Sequence, residues 1–540
     1  MTMRAGTSEL KSSDLRNAAT SGNAQTTNAA TRTGMGVVLA LAAVKLLVSL
    51  AVVNNYGYFR DELYYLACSE HPSWGYVDQP PLVAAITWLI RHTLGTSLFA
   101  LRLLPALAGT LTVILAALLA REMRGGRIAQ GIAALGTLLS TVYLGMDHLL
   151  TMNSFDVPLW MACAWVVLRI ANTGNERLWL LFGAISGVTL LNKYGIGFFG
   201  VGIIVGLLLT PMRRSLARPW IWLGGALACL IILPNFLWQA NRGFPFLELM
   251  GNIRHSGRDV ALGPLAFIGQ QLLMMNPIAT PALAAGIAWF FTRRGKPYRV
   301  LGWAYIVFLA EMMVLKGKSY YLAPVYPVLF AAGGIALERW CSPAEGQLRP
   351  ARSWTLAAYL CVWVIVGALI APMFFPVLPA ETYIRYSRAL GLEPPKFENQ
   401  PQGRLPQLYA DMFGWPEMVE TVARYYNSLT PDERARTAIF ADNYGQAGAI
   451  DFFGPRYGLP KSIGGHQSYW FWGPRGYTGE SIIVLGEDDP QSLERNCASF
   501  SQVAVLDHPN ARPDENLPIY HCRGLKQPLS DFWPYTKHFS

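Results

Sequence analysis

The stretch 58–82 reads YFRDELYYLACSEHPSWGYVDQPPL and sets Asp61, Glu62, Glu70, His71 and Asp78 beside long apolar runs. A carboxylate so placed can take a proton from a hydroxyl, and a positioned base contributes ~10² to 10⁴ in rate. Basic residues recur at comparable places: Lys193 in LNKYG, Arg258 in NIRHSGRD and Lys318 in KGKSYYLAPVYP. There, Lys or Arg can hold an anionic group through charge-assisted hydrogen bonds. Each has a plainer role too. Asp61 can cap a helix beginning DELYYLACSEH, which is worth only ~1 kcal/mol, and Lys318 can snorkel to an interface.

The elements that must hold these groups are greasy. Of 540 residues, 52% are hydrophobic and 14% charged, so the composition points to a polytopic α-helical membrane protein. A net charge of +10 could suggest nucleic acid, but the basic residues come in short clusters between apolar runs and read as topology signals. Nucleic-acid binding is therefore set aside. Residues 1–34 are rich in Thr, Ala, Asn and Ser without apolar period, which predicts a disordered cytoplasmic tail. Apolar runs over 35–53, 101–120, 128–146, 152–170, 178–191, 195–211, 220–238, 264–291, 300–315, 320–337 and 354–374 predict about eleven transmembrane helices. Arg-bearing connections follow alternate spans, as at Arg213, Arg214 and Arg218, and by the positive-inside rule these are cytoplasmic. The expected arrangement puts the 54–100 loop and everything after 375 outside an inner membrane. Lys193, Arg258 and Lys318 then share one side with Asp61.

GIGFFG at 195–200 has dinucleotide-fingerprint spacing but opens an apolar span, so the cofactor reading fails. Gly183 and Gly187 more plausibly let helices approach closely. From 376 to 540 the pattern changes to short mixed segments. TAIFADNY, SIIVLG and QVAVLD read as strands and WPEMVETVARYYNSL as a helix, which predicts a small extracytoplasmic α/β domain. Cys497 and Cys522 both fall in it and are expected to pair in an oxidising compartment. GGHQSYWFWGP reads as an aromatic plug or as an acceptor platform using Trp470 and Trp472.

RDELYYLA followed by WGYVDQPPL resembles the bacterial membrane glycosyltransferases of the GT-C fold, which are related to protein O-mannosyltransferases and the lipid A aminoarabinose transferases. The likeness covers roughly 35–375. It implies a polyprenyl-phosphate-linked sugar donor, inverting transfer at the extracytoplasmic face, and a glycolipid, polysaccharide or protein acceptor. By this resemblance Asp61 matches the acidic residue taken as catalytic. The chemistry it implies needs a base for the acceptor hydroxyl, with Asp61 expected first and Glu62 in reserve, and cations for the donor phosphate, expected at Lys318, Lys193 and Arg258. Asp78 matches a carboxylate that helps hold a metal in the aminoarabinose branch, and His255 its metal-binding histidine; oxygen and nitrogen ligands suit Zn²⁺ or Mn²⁺. Gln79 stands where that branch has Lys. The rival class is a transporter or flippase of a lipid-linked sugar, against which stand the absence of a clear repeat and the gathering of charge on one side.

Overall fold

The computed structural model describes residues 34–342, 349–392, 398–487 and 489–540. The expected tail lies outside these except for Gly34, which opens the first helix. Each of the eleven apolar runs contains helix, but among the described residues only six helices are long and apolar enough to cross a membrane. They are Gly34–Ala51, Leu98–Glu122, Met152–Thr173, Pro219–Asn241, Ser319–Cys341 and Pro350–Met373. Two further pairs, Ile196–Leu208 with Pro211–Ala217 and Pro264–Met274 with Pro277–Phe290, bend by 111° and 98° and raise the number to eight if each is one span. The expected eleven is not reproduced by length and composition, for two reasons. Pro211 and Pro277 stand at the bends, where a missing N–H ends the ladder. Arg127–Leu139, Leu178–Asn192 and Arg299–Val314 have only 13, 15 and 16 residues, short of the roughly 20 that span hydrocarbon.

Close backbone approach holds the bundle together. A methyl group at Gly183 would run into the Gly224 carbonyl of Pro219–Asn241, the small-residue packing typical of membrane helices. The largest buried cluster joins Trp160, Trp179, Phe290, Tyr326 and Trp363 across these helices.

Beyond 375 lies a four-stranded sheet of β1 (Thr437–Ala441), β2 (Ser481–Leu485), β3 (Cys497–Val505) and β4 (Pro518–Leu525) in the order β1-β2-β4-β3. β1 and β2 are parallel, and β4 runs antiparallel to both neighbours. The first two strands match the sequence expectation, and QVAVLD falls largely within β3. PIYHCRGL, with His, Arg and Gly interrupting it, carried no strand signal yet forms β4. Cys497 and Cys522 are bonded. The helix Trp415–Ser428 has Pro in its first turn as expected.

This sheet does not stand apart from the bundle. Leu63, Tyr64 and Ala67 of the helix Arg60–Glu70 share one buried cluster with Trp415, Val419, Ile439, Ile450 and Ile483. The helix Tyr444–Phe453 lies against Arg60–Glu70 so closely that a Cβ on Gly448 would stand 2.9 Å from the Leu63 carbonyl carbon.

Candidate active site

The helix Arg60–Glu70 begins after Phe59, so Asp61 and Glu62 both lie in its first turn and Asp61 is not its cap. The two neighbours have opposite fates. Glu62 is wholly buried, accepts from Arg102 Nε at 3.0 Å and Nη2 at 2.9 Å, and also takes the backbone N–H groups of Phe59 and Leu150. With both oxygens engaged and no face on the cavity described below, Glu62 pins the loop to Leu98–Glu122, and the reserve-base role is withdrawn. Asp61, half-buried, turns the other way.

It faces a cavity of about 360 Å³ where the ends of several membrane helices meet, at Met152, Met274 and Met373. Four basic side chains line this space, Arg60, Arg258, Lys318 and Arg512, together with Asp61, Asp78, Glu398 and Asp411. Asp61 Oδ1 accepts a hydrogen bond from Tyr444 Oη at 2.9 Å, and the Arg60 guanidinium lies 4.5 Å over the Tyr444 ring. Burial pushes the Asp61 carboxyl above its ordinary value; the Tyr444 bond and Arg60 reverse this only in part, and Glu398 adds to the rise.

The cations converge on one carboxylate. Glu398 Oε1 accepts from Arg258 Nη2 at 2.8 Å and Lys318 Nζ at 3.0 Å, and its Oε2 accepts from Gln407 at 3.0 Å. Lys318 also pairs with Asp259 at 3.0 Å. Burial alone would raise the Glu398 carboxyl, but Lys318 and Arg258 outweigh it and hold Glu398 well below the usual carboxylate range. Two cations clasping one oxygen make an anion site that the protein itself fills. Lys193 is set further back: it donates to Asn153, a cavity residue, at 2.7 Å and lies 4.5 Å over the Tyr321 ring, but does not itself line the cavity.

Asp78 lies in the cavity wall and accepts from Tyr64 Oη at 3.0 Å. Burial, with a lesser push from Asp61, raises its carboxyl to about 7. His255 does not join it. That ring is exposed, with Nδ1 at 2.7 Å from the Gly251 carbonyl, and does not line the cavity. Among the described residues no three His, Cys, Asp or Glu side chains cluster as metal ligands. Asp78 and His255 are not brought together as a ligand pair, and no step is routed through a metal. Gln79 is buried beside Cys68 and makes no part of the cavity.

Tyr444, Glu398, Asp411 and Arg512 escape a reading of the sequence. They come from the segment after 375 and meet Asp61 only through tertiary packing. Arg60, adjacent to Asp61, was the one local signal.

With this geometry in place, known proteins similar to the chain are informative. A family profile described as dolichyl-phosphate-mannose-protein mannosyltransferase matches residues 78–238. The lipid A galacturonosyltransferase RgtD of Rhizobium johnstonii is 28% identical over 233 residues, 41% of this chain and 47% of its own length. The chain thus spans about half of that curated relative. ArnT from Cupriavidus metallidurans superposes with a TM-score of 0.57 when bound to undecaprenyl phosphate and 0.58 in its apo state, at 17% and 16% identity. These matches cover 90% and 91% of this chain and 98% of ArnT in both cases. The chain has the GT-C glycosyltransferase fold. The resemblance read from RDELYYLA and WGYVDQPPL is borne out.

Proposed function

We propose that the chain is an inverting membrane glycosyltransferase that moves a sugar from a polyprenyl-phosphate donor to a hydroxyl of a cell-envelope acceptor. The site would face the extracytoplasmic side, with the N-terminus cytoplasmic and the segment 376–540 outside. The observation that carries this reading is that Asp61, Arg258 and Lys318, far apart in sequence, line one cavity at the helix ends. Its volume suits a small-molecule site, and its place lets a lipid carrier enter sideways from the bilayer. Support comes from a fold shared with a protein solved with undecaprenyl phosphate and a relative named for transfer to lipid A.

In the proposed step the acceptor oxygen attacks the anomeric carbon from the face opposite the phosphate. Its proton passes to an Asp61 oxygen, the bond from the anomeric carbon to the phosphate oxygen breaks, and polyprenyl phosphate leaves with the electron pair. Lys318 and Arg258 stabilise the charge that develops on it. Tyr444 orients the Asp61 carboxylate, and Lys193 steadies the cavity wall through Asn153. Envelope lipids incubated with purified protein and a radiolabelled polyprenyl-phosphate sugar should yield labelled acceptor and free polyprenyl phosphate. Donor crossing a liposome bilayer uncleaved, with no transfer, would establish the flippase instead.

A further inference from the structure

A second hollow, of about 260 Å³, is lined in part by His71, Trp238, Arg242, Ser468, Phe471 and Trp472. It has no lining residue in common with the first, but two segments face both spaces through neighbouring residues. Tyr76 faces the second and Asp78 the first; Gln467 faces the first and Ser468 the second. Hydrogen bonds tie these walls together: Val77 N donates to Ser468 Oγ at 3.2 Å, Ser468 N to Tyr64 Oη at 3.3 Å, and Tyr64 Oη to Asp78 at 3.0 Å.

The segment is held in an uncomfortable shape. Gln467 sits at φ 50°, left-handed backbone that disfavours a non-glycine residue. That turn launches the short helix Ser468–Trp472, and Gly473 at φ 76° ends it. Its aromatics then divide. Trp470 closes on Trp533 through reciprocal bonds of 3.2 and 3.0 Å from each indole N–H to the other's carbonyl and acts as the expected plug. Trp472 instead stacks on His71 with ring centroids 4.2 Å apart.

Charge supplies the second half of the pattern. The Arg242 guanidinium lies 4.5 Å over the Trp238 ring and 5.7 Å from that of Phe471, is exposed, and among the described residues pairs with no carboxylate. Trp238, only 9% exposed, keeps an indole N–H without a partner. Aromatic faces accept the C–H faces of a sugar ring, the hydroxyl of Ser468 can bond a sugar hydroxyl, and a cation on an aromatic shelf receives an anion. Plain interfacial aromatics need no such pocket and no unpaired guanidinium.

We propose that this hollow binds a sugar ring carrying an anionic group, the headgroup of an acceptor whose hydroxyl reaches Asp61 past the Tyr76–Asp78 wall. Only the word acceptor rests on the transferase reading; the binding is tested without turnover. Full-length protein in nanodiscs is titrated with a phosphorylated glucosamine disaccharide lipid. Glucosamine 1-phosphate, inorganic phosphate, an uncharged glycolipid and phosphatidylglycerol serve as competitors. Arg242→Gln and Trp472→Ala should each weaken binding about tenfold, while undecaprenyl phosphate binds as in wild type. Competition by glucosamine 1-phosphate shows that the sugar phosphate itself is read, and binding of the lipid that glucosamine 1-phosphate does not displace shows that its lipid-linked form is needed; both agree with the proposal. Equal competition by inorganic phosphate or by phosphatidylglycerol overturns it, as does unchanged affinity in both variants. A photoreactive analogue on unmodified protein guards against variants that misfold: crosslinks must fall in 71–76, 238–242 or 468–472, and crosslinks elsewhere refute the site. Binding here without transfer from any donor would sink the transferase reading alone.

Discussion

At the scale of single residues, Asp61 and Glu62 show that two adjacent carboxylates can be chemically unlike. Glu62 is consumed by Arg102, whereas Asp61 keeps one oxygen free of described hydrogen-bond partners and accepts from Tyr444 through the other. Asp61→Asn preserves an acceptor for Tyr444 but removes the base, so transfer should fall by ~10²-fold or more with donor affinity little changed. Activity within about threefold of wild type would return the base role to another group. Because burial raises the Asp61 carboxyl, activity should decline on acidification at a pH above the ordinary value of about 3.9. Asp78 gives a separate pH signature. Its carboxyl rises from 3.8 to about 7 on folding, so the folded chain takes up a proton; the stabilisation is full below 3.8 and is lost as pH rises through about 7. Asp78→Asn should therefore gain melting temperature on wild type between pH 5 and 8, and a constant difference would contradict the raised value. Glu398 is the third case. Glu398→Gln leaves shape and removes charge, taking the carboxylate from Arg258 and leaving Lys318 paired with Asp259 alone, so undecaprenyl phosphate should bind several-fold more tightly at low salt. Weaker binding would mean that Glu398 orders the cations rather than competing with the phosphate.

At the scale of elements, what matters is how a helix from the end of the chain reaches a loop near its start. Gly445 and Gly448 bring Tyr444–Phe453 against Arg60–Glu70: a Cβ at Gly445 would meet Arg60, and one at Gly448 the Leu63 backbone. Gly448→Val must push the two helices apart, costing ~1–3 kcal/mol for overpacking, and would lengthen the Tyr444 to Asp61 bond. Lower thermal stability together with a loss of turnover, and unchanged affinity for undecaprenyl phosphate, is the expected result; wild-type turnover would show that Tyr444 does not orient the base. None of this contact was legible in the sequence. A helix such as Trp415–Ser428 was, because local period and turn signals mark an element, but the residue an element meets is decided by packing between segments nearly 400 positions apart. Asp61, Arg258 and Lys318 were legible for a different reason: ionisable side chains at the ends of apolar runs stand out against their surroundings. Glu398 and Tyr444 sit among ordinary polar residues and do not.

At the scale of the whole molecule, hydropathy located the apolar runs but not their breaks, since a 13-residue helix such as Arg127–Leu139 and a 98° bend at Pro277 look continuous in a hydropathy window. Orientation rests on the distribution of charge rather than on the number of spans. Arg213, Arg214 and Arg218 follow the Ile196–Leu208 helix, and Arg293, Arg294 and Lys296 follow Thr280–Phe290, both patterns that retain a loop in the cytoplasm. The cavity, the sheet and the Cys497 to Cys522 bond would then all lie outside, where a disulfide persists. Two cysteine substitutions test this in intact cells. Tyr535, 80% exposed and close to the end of the chain, should react as Tyr535→Cys with a membrane-impermeant maleimide. Arg293→Cys, exposed in its loop, should react only after the membrane is permeabilised. Labelling in the reverse order would put Asp61 on the side where nucleotide sugars are made and remove the need for a lipid carrier.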